Sequence, residues 1–154
     1  IGAAGYTIPL PENDDIFSTK GKMLQDITTL LGGRVAEEII FGDITKGASN
    51  DIKRATSTAR AMVMQYGMSE KMGLIAYGNE GDEVFIGRDL AHTRSYSEEV
   101  AKEIDQEIHD IIDGCHAKAK EIILQHMDVL HKCAELLLEK EKVQRDEFEA
   151  LFTS

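Results

Sequence analysis

Asp51 is the residue best placed to do chemistry in this chain. It lies in the stretch Gly42 to Gly67, GDITKGASNDIKRATSTARAMVMQYG, where Gly47-Ala48-Ser49-Asn50 reads as a tight loop turning into a helix. A carboxylate in the first turn of a helix faces unsatisfied backbone N–H groups, which favour its negative charge. Such a group suits a metal ligand, and it suits an ordinary helix cap equally well. A catalytic zinc takes three protein ligands and leaves the fourth position to water. The metal acidifies that water and polarises a peptide carbonyl, while a nearby carboxylate accepts the proton. Five histidines are present, His92, His109, His116, His126 and His131, and no two form a His-Glu-x-x-His pair that would complete such a site. Cys115-His116 and His131-Lys132-Cys133 fall on helical stretches without a CxxC partner, so structural or surface roles suit them better than zinc.

The elements around Asp51 follow from the spacing of apolar residues. Ile52, Ala55, Ala59, Met62, Val63 and Tyr66 recur as one buried helical face, with Gly67 as the stop. Before it, Ser18 or Thr19 opens a long helix whose stripe is Met23, Leu24, Ile27, Leu30, Leu31, Val35 and Ile39. That register continues across Gly32-Gly33, although each glycine inside a helix costs about 1 kcal/mol against alanine. The stripe therefore predicts one helix with a smooth patch that another helix can approach closely. Glu38 falls within the stripe and Glu37 near its border, so each needs a partner, and Arg34 lies within one turn of both.

Elsewhere the chain is plainer. Tyr6-Thr7-Ile8-Pro9-Leu10-Pro11 favours an extended edge strand, because two prolines deny it a central place in a sheet. Met68 to Arg94, punctuated by glycines, reads as loops with at most brief strands, and Asn79-Glu80-Gly81-Asp82 as an exposed tip. Ser95-x-x-Glu98 matches a capping box, with Ser97 as the other candidate cap. Val100, Ile104, Ile108, Ile111, Cys115, Ala119 and Ile122 then mark a long amphipathic helix. Met127, Leu130, Ala134, Leu137 and Leu138 mark a second, and the short break near Gln125–Asp128 predicts an antiparallel hairpin. A brief last helix, anchored by Phe148, Leu151 and Phe152, should fold back over it. The expected fold is mainly α, with a small β edge near the N-terminus and a C-terminal antiparallel helix hairpin.

Composition bounds the function. The 154 residues make one domain, long enough to bury a substantial core. A formal net charge of −11 argues against nucleic acid or anionic lipid as a partner. Two cysteines without a pairing pattern suit a reducing compartment. No apolar run approaches the roughly 20 residues of a membrane span. There is no phosphate-binding GxxxxGK[ST] or GxGxxG, so ATP is not expected to bind here.

The run GGRVAEEIIFGDITKGASNDIKRATSTARAMVMQYGMSEKMG, Gly32 to Gly73, resembles the protease domain of the FtsH-type ATP-dependent zinc metalloproteases. GYTIPLPE at Gly5–Glu12, EVFIGRDL at Glu83–Leu90 and YSEEVAKEIDQEIHDII at Tyr96–Ile112 fit the same family in the same order. The resemblance implies that residues 1–154 are a single peptidase domain, N-terminally truncated, of a larger protein. It also implies that Asp51 is the third protein ligand of a catalytic zinc. The two histidine ligands and the general-base glutamate would come from an upstream HExxH helix, so no catalytic residue is expected in this chain and the fragment alone should be inactive. That helix would also be the neighbour of the glycine patch. Glu37 or Glu38 would accept the ring N–H of a zinc-bound histidine, with Arg34 as the plainer partner. Tyr6, Thr7 and Ile8 would pair with an extended substrate backbone, or form a plain surface strand.

At the level of the whole protein, the resemblance implies a homo-hexameric AAA+ machine at the cytoplasmic face of a bacterial inner membrane, or an equivalent organelle membrane. Its ATP would bind a separate upstream module, its membrane contact would come from upstream segments, and its substrates would be unfolded or membrane proteins. The competing expectation is a non-catalytic helical oligomerisation module that resembles the protease domain.

Overall fold

The computed structural model describes residues 6–8, 18–78 and 96–153. Five α-helices carry these residues: α1 (Lys20–Phe41), α2 (Ser49–Met64), α3 (Glu98–Gln125), α4 (Met127–Lys140) and α5 (Arg145–Ala150), with a 3-10 turn at Lys46–Ala48 before α2. The mainly α expectation is met, and no strand occurs among the described residues.

Helix α1 begins where Thr19 Oγ1 accepts the Lys22 N–H at 3.1 Å and ends where Gly42 takes the left-handed conformation, φ 62°. It runs unbroken through Gly32-Gly33, as the register of its stripe requires. A Cβ built at either glycine would meet nothing within 4 Å, so the smooth patch lies open among the described residues. Met23, Ile27, Leu31 and Val35 are buried at the spacing of one face. They meet two other helices. Ala55, Ala59, Met62 and Val63 of α2 and Ile104, Ile108 and Cys115 of α3 complete most of the core, together with Met72. Two fully buried alanines on α2 let its backbone come close to its neighbours, while the longer side chains of α1 fill the remaining space.

Helix α2 stops at Met64 rather than at Gly67. Tyr66 therefore lies beyond the helix and is exposed, contrary to its expected place on the buried face. Gly67 instead takes φ 60° in the turn that follows. Residues 68–78 are loop and turn, as expected, whereas Asn79–Asp82 and the remainder of the expected loop region lie outside the described residues. Ser97 caps α3, its hydroxyl accepting the Val100 N–H at 3.2 Å, while Ser95 lies outside the described residues.

The C-terminal arrangement differs from a packed hairpin of α3 and α4. A single residue, His126, joins them, and contacts between the two helices are sparse. One residue is too short a link to reverse a helix onto its predecessor. The reversal comes after α4, where Glu141 adopts φ 62° and ends the helix. Helix α5 then returns: Lys140 Nζ pairs with Glu147 at 2.9 Å, and the Phe152 ring meets His126 edge-on at 5.3 Å. The α4 stripe consequently stays largely outside, with Leu138 86% exposed. No helix among the described residues is long and apolar enough to cross a membrane.

Candidate functional site

The site is built at the junction of α1 and α2. Beyond Gly42, two residues lead to Thr45, and the 3-10 turn Lys46–Ala48 then opens α2 at Ser49. Asp51 is the acidic residue of the first turn of α2. The N-cap position belongs to Ala48, which has no side chain to accept a hydrogen bond. Asp51 is half-buried and makes no hydrogen bond or ion pair with a described residue. A capping carboxylate would accept a backbone N–H. Among the described residues this one does not.

Thr45 is held on all sides. Its N–H donates to Glu37 Oε2 at 3.2 Å and its hydroxyl to Glu37 Oε1 at 2.7 Å. Arg34 Nη2 donates to its carbonyl at 3.2 Å, and Thr45 Oγ1 accepts the Gly47 N–H at 3.1 Å. The bond from the Thr45 hydroxyl, then that from its N–H, holds the Glu37 carboxyl below its ordinary value; partial burial opposes this and the Arg34 charge adds to it. Arg34 thus acts on Glu37 mainly through Thr45 and through charge. Its own Nε is buried and has no hydrogen-bond partner among the described residues.

Glu38 points the other way. Its Oε2 lies 3.2 Å from His116 Nε2 on α3, in a pair that is 35% and 38% exposed. Both glutamates are half-buried, as their places on the helical wheel suggested, and each has a partner within this chain. Nothing in the spacing pairs His116 with Glu38, because 78 residues separate them. Thr45 left a faint sign: a threonine two residues before a glycine, just ahead of a helix start, is a turn-forming residue.

Tyr6, Thr7 and Ile8 are exposed and pair with no strand among the described residues, while the rest of the expected edge, from Pro9, lies outside them. Among the described residues no three of His, Cys, Asp and Glu converge to hold a metal. The donor chemistry of Asp51 still fits zinc as one ligand, since it is a carboxylate with no competing partner among the described residues. The remaining ligands are not found among the described residues.

The comparisons with known proteins agree with the resemblance. The model for peptidase family M41 matches residues 2–151. An ATP-dependent zinc metalloprotease FtsH of Caldicellulosiruptor bescii is 54% identical over 149 residues, 97% of this chain and 24% of that protein. The ATP-dependent zinc metalloprotease FtsH of Thermotoga maritima is 48% identical over 151 residues, 98% of this chain and 25% of its own length. One from Thermoanaerobacter sp., FtsH 1, is 51% identical over 150 residues. The chain spans about a quarter of the length of the curated relatives it matches. With a match that runs through α1, the Asp51 turn and all three core helices, this chain belongs to peptidase family M41.

Proposed function

We propose that the chain is part of the proteolytic domain of an ATP-dependent zinc metalloendopeptidase, and that Asp51 is one of the ligands of its metal. The observation that carries this reading is the Asp51 carboxylate in the first turn of α2, which has no hydrogen-bond or ion-pair partner among the described residues, set in a family whose relatives bear the name zinc metalloprotease. When bound, zinc supplies Lewis-acid polarisation of the scissile carbonyl and acidifies a water. The chain's own residues provide an anion for the metal, a helix start that favours that anion's charge, and a rigid three-helix core behind it. An HExxH helix elsewhere in the parent protein supplies two histidines and the general base.

Glu37 is the better candidate to steady one of those histidines. It faces the turn that delivers Asp51, whereas Glu38 is engaged with His116 on α3. Each Glu37 oxygen accepts one bond from Thr45 and keeps lone-pair capacity for an imidazole N–H. Tyr6, Thr7 and Ile8, which are exposed, are proposed to pair with the substrate main chain. By the same reading the parent is a membrane-anchored hexamer, at the cytoplasmic face of its membrane, that degrades unfolded or membrane proteins. Its ATP is bound by a separate module.

The test uses the full-length parent with ATP and casein. Cleavage should require zinc, and Asp51→Ala should reduce it by more than the roughly 100-fold that loss of an outer-shell partner can cost. Full activity in that variant would remove Asp51 from the metal. A parent without HExxH, unable to cleave casein, would instead support the non-catalytic assembly module.

A further inference from the structure

We propose that Thr45 is a positioning residue for Asp51: gripped by Glu37 and Arg34 of α1, it fixes where α2 begins and so where the Asp51 carboxylate is presented. The inference rests on the reading of Asp51 as a metal ligand and adds the device that holds it in place. All three polar groups of Thr45 are engaged. Its N–H and hydroxyl go to the two oxygens of Glu37, and its carbonyl receives Arg34 Nη2. The hydroxyl also takes the Gly47 N–H, which closes the 3-10 turn leading directly into α2. One residue thus joins the register of α1 to the start of α2.

The first turn of α2 needs such a link. Ala48 offers no side-chain cap, and the Ser49 N–H of this first turn is taken up by the Lys46 carbonyl of the 3-10 turn, so the start of α2 leans on the segment before it. The core holds α2 firmly from Ala55 onward, with Ile52 only partly buried against it. Metal ligation requires donor distances within about 0.2 Å of their ideal values, closer than a frayed first turn maintains. Asp51 has no hydrogen bond of its own to steady it among the described residues. Its placement therefore depends on the backbone that leads to it, and Thr45 is where that backbone is tied to α1.

Gly47 belongs to the same device. A Cβ there would come within 3.2 Å of Thr45 Oγ1 and 3.7 Å of Glu37 Oε1, so the grip closes against a bare backbone. Alanine at this position would push the threonine without deleting any hydrogen-bonding group.

The experiment compares Thr45→Val, Thr45→Ser, Gly47→Ala and Asp51→Asn in the full-length parent. Zinc affinity is read by competition with a chromogenic chelator, and ATP hydrolysis reports that the remainder of the protein is intact. Thr45→Val should weaken zinc binding about tenfold, the lower end of what an outer-shell loss costs, while Thr45→Ser stays within about threefold of the parent. Gly47→Ala should weaken it as well, with unchanged ATP hydrolysis, and it decides the matter if Thr45→Val does not fold. Zinc affinity unaltered in Thr45→Val, or in Gly47→Ala, while Asp51→Asn weakens it would overturn the positioning role alone. Unaltered affinity in Asp51→Asn would instead overturn the ligand reading on which it rests.

Discussion

Glu38 on α1 meets His116 on α3, with Oε2 and Nε2 3.2 Å apart, and so bridges the two helices that share the largest part of the core. Both side chains keep more than a third of their surface in water, so solvent screens the pair strongly. A double-mutant cycle with Glu38→Gln and His116→Gln should give a coupling of about 0.2–1 kcal/mol in urea unfolding, the usual range for exposed pairs. A coupling of several kcal/mol would mean that the pair is far more enclosed than its exposure indicates.

The three-helix core makes a larger demand. Ile27 has no exposed surface and packs where α1, α2 and α3 meet. Ile27→Ala should cost about 2–5 kcal/mol of unfolding free energy, the range for a large-to-small change at a fully buried site. Leu138→Ser on α4 should lie within about 0.5 kcal/mol of the parent, because that side chain is 86% exposed. Comparable losses at the two positions would contradict the placement of α4 outside the core.

These contrasts show what periodicity can reveal. Met23, Ile27, Leu31 and Val35 repeat at helical spacing between Thr19 and Gly42, and those signals delimit α1 from its residues alone. The stripe of α4 has helical spacing too, yet Ala134, Leu137 and Leu138 on it are exposed. A repeat shows that a helix has an apolar face, not that the chain supplies something to cover it. Asp51 was legible for a similar reason, since a tight loop followed by a periodic run announces a helix start. Thr45 was not, because its role depends on Arg34 and Glu37 reaching across from another helix, 11 and 8 residues away. The partner of Glu38 lay farther still along the chain.

Stability should respond to acid through Glu37. The Thr45 hydroxyl, then the Thr45 N–H, lowers its carboxyl in the folded state, so the folded value lies below the unfolded one. The associated stabilisation is fully present above the unfolded value and is lost as pH falls through the folded value. Thr45→Val removes the stronger of the two bonds. The difference in melting temperature between parent and variant should therefore shrink as the solution is acidified from neutrality. A difference that stays constant across that range would show that the bond to Glu37 has no protonation-linked part.

Lys140 gives the opposite sign at the other end of the chain. Its hydrogen bond to Glu147, and next the charge of Glu147, raises the lysine above its ordinary value. That contribution is fully present below the unfolded value and is lost as pH rises through the folded one. In hydrogen exchange, α5 amides should lose protection in this alkaline range, and Glu147→Gln should remove most of the pH dependence. Equal pH dependence in parent and variant would rule out the pair as the α5 tether.

The most direct test of the account is a zinc-bound crystal structure of the full-length parent. An Asp51 carboxylate oxygen should lie about 2.0–2.2 Å from the metal, the ordinary zinc–carboxylate distance. A zinc ion fully ligated by other residues, with Asp51 turned away from it, would contradict the account.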